Sequence, residues 1–436
     1  MVVLIGETAA LSWVSRQLSG TWLTPFAVLA VPFTIVATFA YLFAPALGFV
    51  ALYPQVVLIW AIGLFFFWMP GTAVFAPFAI KMRNRSIMVS QPRFEVASYK
   101  LVMGLAWGCI TILAFGILPG LIQVGFTSIN AESIRRTLGS GLLGHTNVFA
   151  SVLVIYIIGA THLRQVKHWL PLLLILSAAV LYGVKGSLIL PIIGGIIYRI
   201  ATHRLRISIK LGFGVSLLGI LLFFLVYLVR FAMQNSAYLT DPDTYIFLAR
   251  HFAKYFFAGV LGFSEMLIVG RKHLVLGGGE AIFAPFINLI NTLLNTDQPS
   301  ISIINQNYLS IMPFDYNPSN VPTLFGTLYL YLGIEGMLIY TVFLSLTTHG
   351  AFVVAILTRD SWAVIGWAFF ASLLTMAWFD MYFWSLNVLE VPAIILILGG
   401  TVRLISSLLV KLAGNNDRSR QPILYHNTSL TQTHHQ

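Results

Sequence analysis

Charge is what this sequence has least of. Only 9% of its 436 residues are Asp, Glu, Lys or Arg, whereas 58% are hydrophobic. Soluble domains carry about 25% charged residues, because they must cover their surface with polar groups. Residues 211–233 contain a single charge, Arg230, over a length that matches the ~20 residues of a membrane span. The composition therefore excludes a soluble fold and predicts an all-α, polytopic membrane protein.

Cysteine is nearly absent as well. The single Cys109 lies in an apolar run, which excludes an intramolecular disulfide and any Cys-rich metal or redox site. No spaced set of His, Asp and Glu residues predicts a metal site, and no cofactor is expected. The net charge of +11 must first be divided between two membrane faces, so it does not indicate a nucleic-acid partner.

Apolar runs predict about ten membrane spans. The fifth and sixth are short and are joined by a tight turn at 183–187, so they are expected to be tilted or to stop short of one face. The chain shows no internal repeat, which argues against a repeat-built transporter. The predicted spans are 22–44, 52–78, 100–122, 147–163, 169–183, 188–201, 211–233, 323–348, 361–380 and 387–409.

The distribution of Lys and Arg predicts the orientation of these spans. With both termini in the cytoplasm, 17 of the 25 Lys and Arg residues fall on the inner side and 8 on the outer side. This division satisfies the positive-inside rule, because cytoplasmic loops carry the excess of basic residues. The sequence therefore predicts that both termini are cytoplasmic.

Four regions follow from this topology. Residues 1–233 hold spans one to seven with a first outer loop at 123–146, and residues 234–322 form a large periplasmic loop. Residues 323–413 hold spans eight to ten, and 414–436 form a polar cytoplasmic tail. The large loop is too apolar to stay solvated, so we expect short interfacial helices that lie against the bundle and cover a cavity.

Eight cations depart from the positive-inside rule. A cationic, partly buried outer cavity suits an anionic ligand whose tail lies in the bilayer, such as a polyprenyl diphosphate, since Arg binds phosphate through two hydrogen bonds and Lys acts as a point charge. The alternative is that these cations contact phospholipid headgroups. The residues are Arg135, Arg136, Lys185, Arg230, Arg250, Lys254, Arg271 and Lys272.

Four of the predicted outer residues are candidates for chemistry. Arg135 and Arg136 open a helical turn that a Gly-rich segment ends, which leaves backbone N–H groups free for an anion. His145 begins the next span and is either a proton carrier, an oxygen-orienting donor or a structural residue. Lys185 lies in the turn between two short spans, where it either serves a function or extends to the headgroups.

The start of span eight carries polar and aromatic side chains. Asn320, Thr323 and Tyr329 follow a rigid Asn-Pro and Val-Pro turn at the bilayer boundary. They are suited to sugar binding through amide hydrogen bonds and an aromatic face, or they form a helix cap and an aromatic belt. Among the boundary acids, Asp380 at the outer end of span nine is the one placed to reach the cavity, whereas Glu335 is expected to satisfy a neighbouring helix.

The same segment resembles a known family. Residues 320–336, with Asn320, Thr323, Phe325-Gly326, Tyr329 and Gly333-Ile-Glu-Gly336, look like the pattern of bacterial oligosaccharide repeat-unit polymerases. The turn Lys185-Gly186-Ser187 resembles the Arg-Gly turn of that family, and Arg135 and Arg136 resemble its outer-loop arginine. The sequence departs from the pattern at Tyr331-Leu332, where the family has an acidic-aromatic pair, and at Lys185, where it has Arg.

The resemblance implies a glycosyltransferase of the O-antigen, capsule or enterobacterial-common-antigen type, with a membrane fold like that of GT-C enzymes. Such an enzyme acts at the periplasmic face of the inner membrane, moves a glycan from undecaprenyl diphosphate to a new lipid-linked repeat unit, and commonly has a chain-length-regulating partner. Our mechanistic hypothesis is that Arg135, Arg136 and Lys185 neutralise the diphosphate and that His145 assists the attacking hydroxyl. Arg250, Lys254 and Arg271 would hold the second carrier or the chain. The other substrate-binding candidates are Arg230, Asn320, Thr323 and Tyr329.

Two other functions fit the same features. An O-antigen ligase shares the donor, the membrane face and the general architecture, but transfers the glycan to lipid A core. A lipid-linked oligosaccharide flippase or another transporter is expected to expose a cationic cavity to both faces. The long loop on one face favours chemistry there, and a transfer assay separates the three functions.

Overall fold

The described part of the chain is almost entirely helical. A computed structural model describes residues 1–79, 81, 96–124, 141–161, 165–182, 185–206, 208–234, 236–274, 276, 278–296, 301, 307–312 and 318–418. The helices, α1 to α13, are Val2–Ser19, Pro25–Phe43, Pro54–Phe75, Val96–Val124, Gly141–Ala160, Val166–Tyr182, Lys185–Ala201, Ile209–Gln234, Pro242–Val269, Ala284–Leu293, Leu324–Thr358, Ser361–Thr375 and Asn387–Arg418. Within these ranges, β-structure is limited to an isolated antiparallel bridge between Leu309 and Ser319.

The fold is that of a multi-pass membrane protein. Among the described residues, eight helices are long and apolar enough to cross a membrane: α2 to α5, α8, α9, α11 and α13. Three further apolar helices, α6, α7 and α12, are shorter. Each of the ten spans predicted from the sequence overlaps one of these helices, and the all-α class is confirmed.

Helix α9 differs from the prediction, because it lies inside the segment assigned to the large outer loop. It is a single helix of 28 residues. Phe256 packs edge-on against Phe39 near the end of α2, and the hydroxyl of Ser264 accepts a hydrogen bond of 2.8 Å from the N–H of Tyr53, just before α3. The second half of α9 therefore lies across the ends of α2 and α3. Asp243 and Arg250 interrupt its apolar pattern, which hides its length in the sequence.

Helix α1 is a second element that the apolar runs do not reveal. Its buried side is made of small polar residues that include Thr8, Ser12 and Ser15. The hydroxyls of Thr8 and Thr34 are 2.8 Å apart, which fixes α1 antiparallel to α2. The first turn of α1 thus lies toward the end of the bundle where α2 ends, whereas α13 starts at that end and runs away from it, which does not agree with the prediction that both termini share one face.

One end of the bundle, here the arginine end, consists of regular helix termini joined by charged side chains. Arg199 donates to the carbonyls of Ile158 (2.5 Å) and Thr161 (2.8 Å), and Arg204 donates to the carbonyl of Ala160. These bonds satisfy carbonyls that a helix C-terminus leaves unpaired. At the same end Arg403 of α13 pairs with Asp360, the N-cap of α12.

The opposite end, here the broken end, is where helix α11 is interrupted. Gly333 has φ 75° and ψ −176°, outside the helical region. Phe325 of α11 packs on Gly63 of α3, whereas Ser345 donates to the carbonyl of Phe67, only one turn further along α3. A straight helix would separate residues 325 and 345 by about 30 Å. The chain therefore bends sharply at Gly333 and leaves residues 324–332 as a short half-helix.

Candidate functional site

Two non-helical segments meet beside the half-helix. The 318–323 segment precedes it, and the 376–386 segment joins α12 to α13. The N–H of Leu324 donates to the carbonyl of Ala377 at 2.8 Å, and the N–H of Thr323 donates to that of Phe379 at 3.3 Å. Non-helical backbone in a membrane protein is tolerated where protein buries it or where it lines a watery cavity. Such a junction is where polar chemistry is possible within an apolar bundle.

Helix α9 covers both segments through two glycines. A Cβ atom at Gly259 would collide with the carbonyl oxygens of Trp378 and Phe379, and one at Gly262 would lie 2.7 Å from the carbonyl oxygen of Val321. Only a residue without a side chain allows this approach of backbone to backbone. The pair Gly259 and Gly262 therefore holds the two non-helical segments together from one side.

Thr323 fixes the start of the half-helix. It has φ 68°, and its fully buried hydroxyl oxygen accepts bonds from the N–H of Gly326 (3.2 Å) and from Nε1 of Trp60 (3.1 Å). The first bond is an N-cap, which satisfies one of the orphan N–H groups of a helix start. We therefore assign Thr323 a structural role as a cap instead of the substrate contact expected from the sequence.

Asp380 is the acid at this junction. Its half-buried carboxylate accepts a bond of 2.7 Å from the N–H of Met381, which lowers the pKa of the group. Burial acts in the opposite direction and is stronger, because it removes the charged form from water. The pKa of Asp380 rises from its ordinary 3.8 to about 7. Near neutral pH this carboxyl can therefore both accept and release a proton.

Because the pKa of Asp380 is raised in the folded protein, the stability of the fold depends on pH. The folded protein binds the proton more tightly than the unfolded chain, so the protonated form contributes stability at low pH. This contribution is lost as the pH rises from about 4 toward about 7, the range between the ordinary and the raised pKa. The ionised carboxylate thus opposes folding at neutral pH, which is typical of a group that a site retains for function.

Aromatic side chains surround this carboxyl. Burial, together with the negative charge of Asp380, raises the pKa of the Tyr382 phenol far above its ordinary value. Tyr331 of the half-helix packs edge-on against Trp384, with ring centroids 6.0 Å apart. A Cβ atom at Gly186, in the first turn of α7, would lie 3.1 Å from the Tyr382 ring. The Lys185-Gly186 turn singled out in the sequence is therefore part of the same site.

Arg271 lies at the other side of the half-helix. Its Nε donates to the carbonyl of Leu330 at 2.8 Å, and its guanidinium lies 6.0 Å from the ring centroid of Tyr329. A side chain at Gly333 would contact its terminal nitrogen, at 3.0 Å. Arg271 thus caps the C-terminal carbonyls of the half-helix at the bend. The structure brings together Arg271 and Tyr329, which the sequence analysis proposed as binding residues.

His145 has a partner that the sequence does not reveal. Its Nδ1 lies 2.5 Å from Oε1 of Glu390, in the first turn of α13. The His145 side chain is 63% exposed and that of Glu390 is 20% exposed. A carboxylate on one ring nitrogen fixes the orientation of the imidazole and leaves the other nitrogen for a ligand.

The remaining predicted site residues are distributed as follows. Arg250 is exposed and Lys254 is buried, both on α9, and Asn320 is half-buried in the 318–323 segment. Lys185 and Arg230 are described by their backbone alone, at the start of α7 and in the last turns of α8. Arg135 and Arg136 lie outside the described residues, as does most of the first outer loop.

A metal site was not expected from the sequence. Within the described ranges, no group of three or more His, Cys, Asp or Glu side chains is arranged to hold a metal ion.

Sequence reasoning ranked some residues of this site too low. The sequence shows Asp380 only as an acid at a span boundary, because its position outside the α-helices can be seen only in the fold. Gly259 and Gly262 were overlooked, although two glycines three positions apart lie on the same face of a helix. Tyr382 carried no signal, since an aromatic residue near a span end is ordinary.

Comparison with known proteins gives a family without a described activity. Residues 48–407 match the model of a family of unknown function, DUF6337. The chain belongs to this family. No curated protein and no solved structure matches it.

Proposed function

We propose that this DUF6337 protein is a glycosyltransferase that joins undecaprenyl-diphosphate-linked oligosaccharide repeat units into a surface polysaccharide. The observation that carries the proposal is Asp380, a half-buried carboxyl with a pKa of about 7 in the 376–386 segment, which interrupts the α-helices of an apolar bundle and meets the 318–323 segment. A base of this pKa is suited to take a proton from a hydroxyl at neutral pH. The resemblance of residues 320–336 to repeat-unit polymerases supports the same activity.

The proposed orientation places the broken end outside. The arginine end holds Arg199 and Arg204 at helix termini, and Arg403 of α13 beside the start of α12. Because cytoplasmic termini carry the excess of basic residues, this end is assigned to the cytoplasm of a bacterial inner membrane and the broken end to the periplasm. A multi-pass helical bundle with its site at the outer end has the general design of GT-C enzymes.

The proposed step exchanges one bond for another. The acceptor hydroxyl oxygen forms a bond to the anomeric carbon of the donor glycan, and the bond between that carbon and the diphosphate oxygen breaks. The diphosphate leaves with the bonding electron pair, and the hydroxyl proton passes to the carboxylate of Asp380, which later releases it to water. The reaction needs no nucleotide sugar, because the diphosphate is itself the leaving group.

The donor diphosphate is assigned to the side of the site where α7 begins. Gly186 contacts Tyr382, so the first turn of α7 lies next to the segment that carries Asp380. Lys185 starts this helix, and with Arg135 and Arg136 it would neutralise the charge that develops on the diphosphate as the bond breaks. His145, held by Glu390, would orient the reacting oxygen instead of accepting its proton.

The test is a transfer assay with purified protein in lipid nanodiscs. Undecaprenyl-diphosphate-linked repeat units from the protein's own source are added, and the products are separated on a gel. The proposal expects a ladder of polymer and release of undecaprenyl diphosphate. Transfer that occurs only after addition of lipid A core would identify a ligase, and movement of the lipid between leaflets without transfer would identify a flippase. Either result would overturn polymerisation.

A further inference from the structure

A cationic turn follows directly after helix α9. Gly270 ends the helix, and Arg271, Lys272 and His273 form a single 3-10 turn with all three side chains exposed. Arg271 also holds the carbonyl of Leu330 in the half-helix. Glu280 and Glu335 come later in the sequence. Among the described residues, no ion pair joins either of them to the turn. The cations are therefore available to an anion from outside the protein.

Helix α10 presents an apolar face near the part of α11 that the turn contacts, since a Cβ atom at Gly333 would lie 3.0 Å from Arg271 and Phe283 packs against Tyr340. Of its ten residues only Ala284 and Pro285 are buried. The side-chain amide of Asn288 donates to the carbonyl of Ile301 at 3.1 Å and accepts from its N–H at 2.9 Å, which fixes the polar side of the helix to the protein. The exposed residues of the other side are Phe283, Leu289, Ile290, Leu293 and Leu294.

The apolar face of α10 continues onto a membrane-spanning helix. Phe283 packs against Tyr340 of α11, with ring centroids 5.9 Å apart, and α11 exposes Ile339 and Phe343 next to it. A short helix with an apolar face and an adjacent basic turn is the arrangement of an interfacial helix at the boundary of headgroups and acyl chains. Its charge and its apolar surface match a lipid that carries phosphate at one end.

We propose that the Arg271–His273 turn and the exposed face of α10 form the docking site of the acceptor lipid, an isoprenoid diphosphate. The turn binds the diphosphate, and the apolar faces of α10 and α11 bind the isoprenoid chain. This inference rests on the proposed function. It adds that the acceptor is the lipid-linked substrate that binds at the Arg271–His273 turn.

The assignment to the acceptor follows from the site proposed for the donor. Arg271 contacts the carbonyl of Leu330 at the end of the half-helix, whereas the first turn of α7 contacts Tyr382, beside Asp380. The donor diphosphate is bonded to the reacting carbon and is assigned to the start of α7. An acceptor hydroxyl lies on a sugar remote from its own diphosphate, so a second diphosphate, on the Arg271–His273 turn, suits the acceptor.

The test uses a sugar-free undecaprenyl diphosphate with a photoreactive group on one of the isoprene units next to the diphosphate. The protein is placed in nanodiscs of phosphatidylcholine and phosphatidylglycerol and irradiated, and labelled peptides are identified by mass spectrometry. We expect labelling of residues 289–294 that exceeds labelling by a neutral polyprenol probe. Lys272→Glu should lower it about tenfold or more, since each charge near a surface contributes about 1 kcal/mol. Lys272→Arg should retain it.

The controls separate this site from the general lipid belt. Lys210→Glu makes the same change in charge at an exposed position at the start of α8 and should leave labelling unchanged. Equal labelling by a photoreactive phosphatidylglycerol would mean that ordinary phospholipid covers α10 and would overturn the proposal. So would labelling that is unaffected by Lys272→Glu.

The docking site and the proposed reaction fail in distinguishable ways. Labelling by a sugar-free probe requires no transfer, so it should persist in Asp380→Asn. A protein that makes no polymer but labels on α10 in a Lys272-dependent manner would contradict the glycosyltransferase and retain the lipid site. A protein that makes polymer without such labelling would retain the enzyme and contradict the site.

Discussion

The two ends of the bundle use their polar residues in opposite ways. At the arginine end, Arg199 and Arg204 satisfy helix carbonyls, and Arg403 pairs with the cap residue Asp360. At the broken end, the carboxyl of Asp380 is retained in a half-buried position that raises its pKa to about 7, a state that weakens the fold at neutral pH. Charge at the arginine end stabilises structure, whereas charge at the broken end is kept at a cost to stability.

The backbone follows the same division. The helices at the arginine end are regular up to their last turns, and side chains satisfy the groups that they leave unpaired. At the broken end α11 bends at Gly333, Thr323 has a positive φ, and the 376–386 segment leaves the helical conformation. Irregular backbone of this kind clusters at functional sites, where the surrounding structure enforces it.

Replacement of Asp380 by Asn should have the largest effect. It should lower the rate of glycan transfer about 10²–10⁴-fold, the range over which a general base contributes. The variant should also unfold at a higher temperature than the wild type at pH 8, because it lacks the ionised carboxylate. At pH 5 the difference between the two unfolding temperatures should be smaller. Gel-resolved transfer and thermal unfolding in detergent measure the two effects.

The matched control for Asp380 is Asp241→Asn. Asp241 is an exposed cap of α9 whose carboxylate accepts a bond from the N–H of Asp243, and Asn caps equally well. This change should leave transfer and stability intact. Equal losses in the two variants would show that the effect belongs to charge in general and not to the site.

Gly259→Ala should have the next largest effect. The new methyl group collides with the carbonyls of Trp378 and Phe379, so α9 must move away from the segment that carries Asp380. Overpacking of this kind costs about 1–3 kcal/mol, and transfer should fall with stability. Gly104→Ala on α4 meets open space and should be neutral or slightly stabilising. An unchanged unfolding midpoint for Gly259→Ala would contradict the close approach of α9.

Thr323→Val should destabilise the start of the half-helix. The change keeps the shape but removes the acceptor for the N–H of Gly326 and for Nε1 of Trp60, at about 1–3 kcal/mol for groups left unpaired in the interior. Thr111→Val, whose exposed hydroxyl only donates to a carbonyl of its own helix, serves as the control. If Thr323 instead binds sugar, Val should raise KM without a change in thermal stability.

Arg403→Ala at the arginine end should have the smallest effect. Arg403 is 67% exposed, and a pair of this kind contributes about 0.2–1 kcal/mol. The change should lower the unfolding midpoint slightly and leave transfer unaffected. A loss of transfer at full stability would place function at the arginine end and would remove the contrast between the two ends.

Much of the fold could be predicted from apolar runs, but α1 and α9 could not. The buried face of α1 consists of Thr and Ser, and Asp243, Arg250 and Lys254 interrupt the apolar pattern of α9, so the uninterrupted apolar runs reveal neither helix, although α9 as a whole is apolar enough to span a membrane. Their partners are distant in the sequence, as the Thr8–Thr34 and Tyr53–Ser264 bonds show. Only the assembled bundle supplies them.

The site was predicted in its location more than in its chemistry. The start of span eight, the Lys185-Gly186 turn, Arg271 and Tyr329 all converge on the broken end. The sequence analysis interpreted Thr323 as a ligand, because a buried cap and an exposed sugar contact use the same hydroxyl. Asp380 was underrated, because its raised pKa depends on burial by segments far away in the chain.

The most direct test of Asp380 as the base is the pH dependence of a single round of glycan transfer in nanodiscs, from about pH 5.5 to about pH 8.5. Because the carboxylate form is required, the rate should rise about tenfold per pH unit at low pH and level off near pH 7, the raised pKa of this carboxyl. In Asp380→Asn the remaining slow rate should not follow this curve. A wild-type rate that is constant across the range, with full activity in Asp380→Asn, would contradict the role of Asp380.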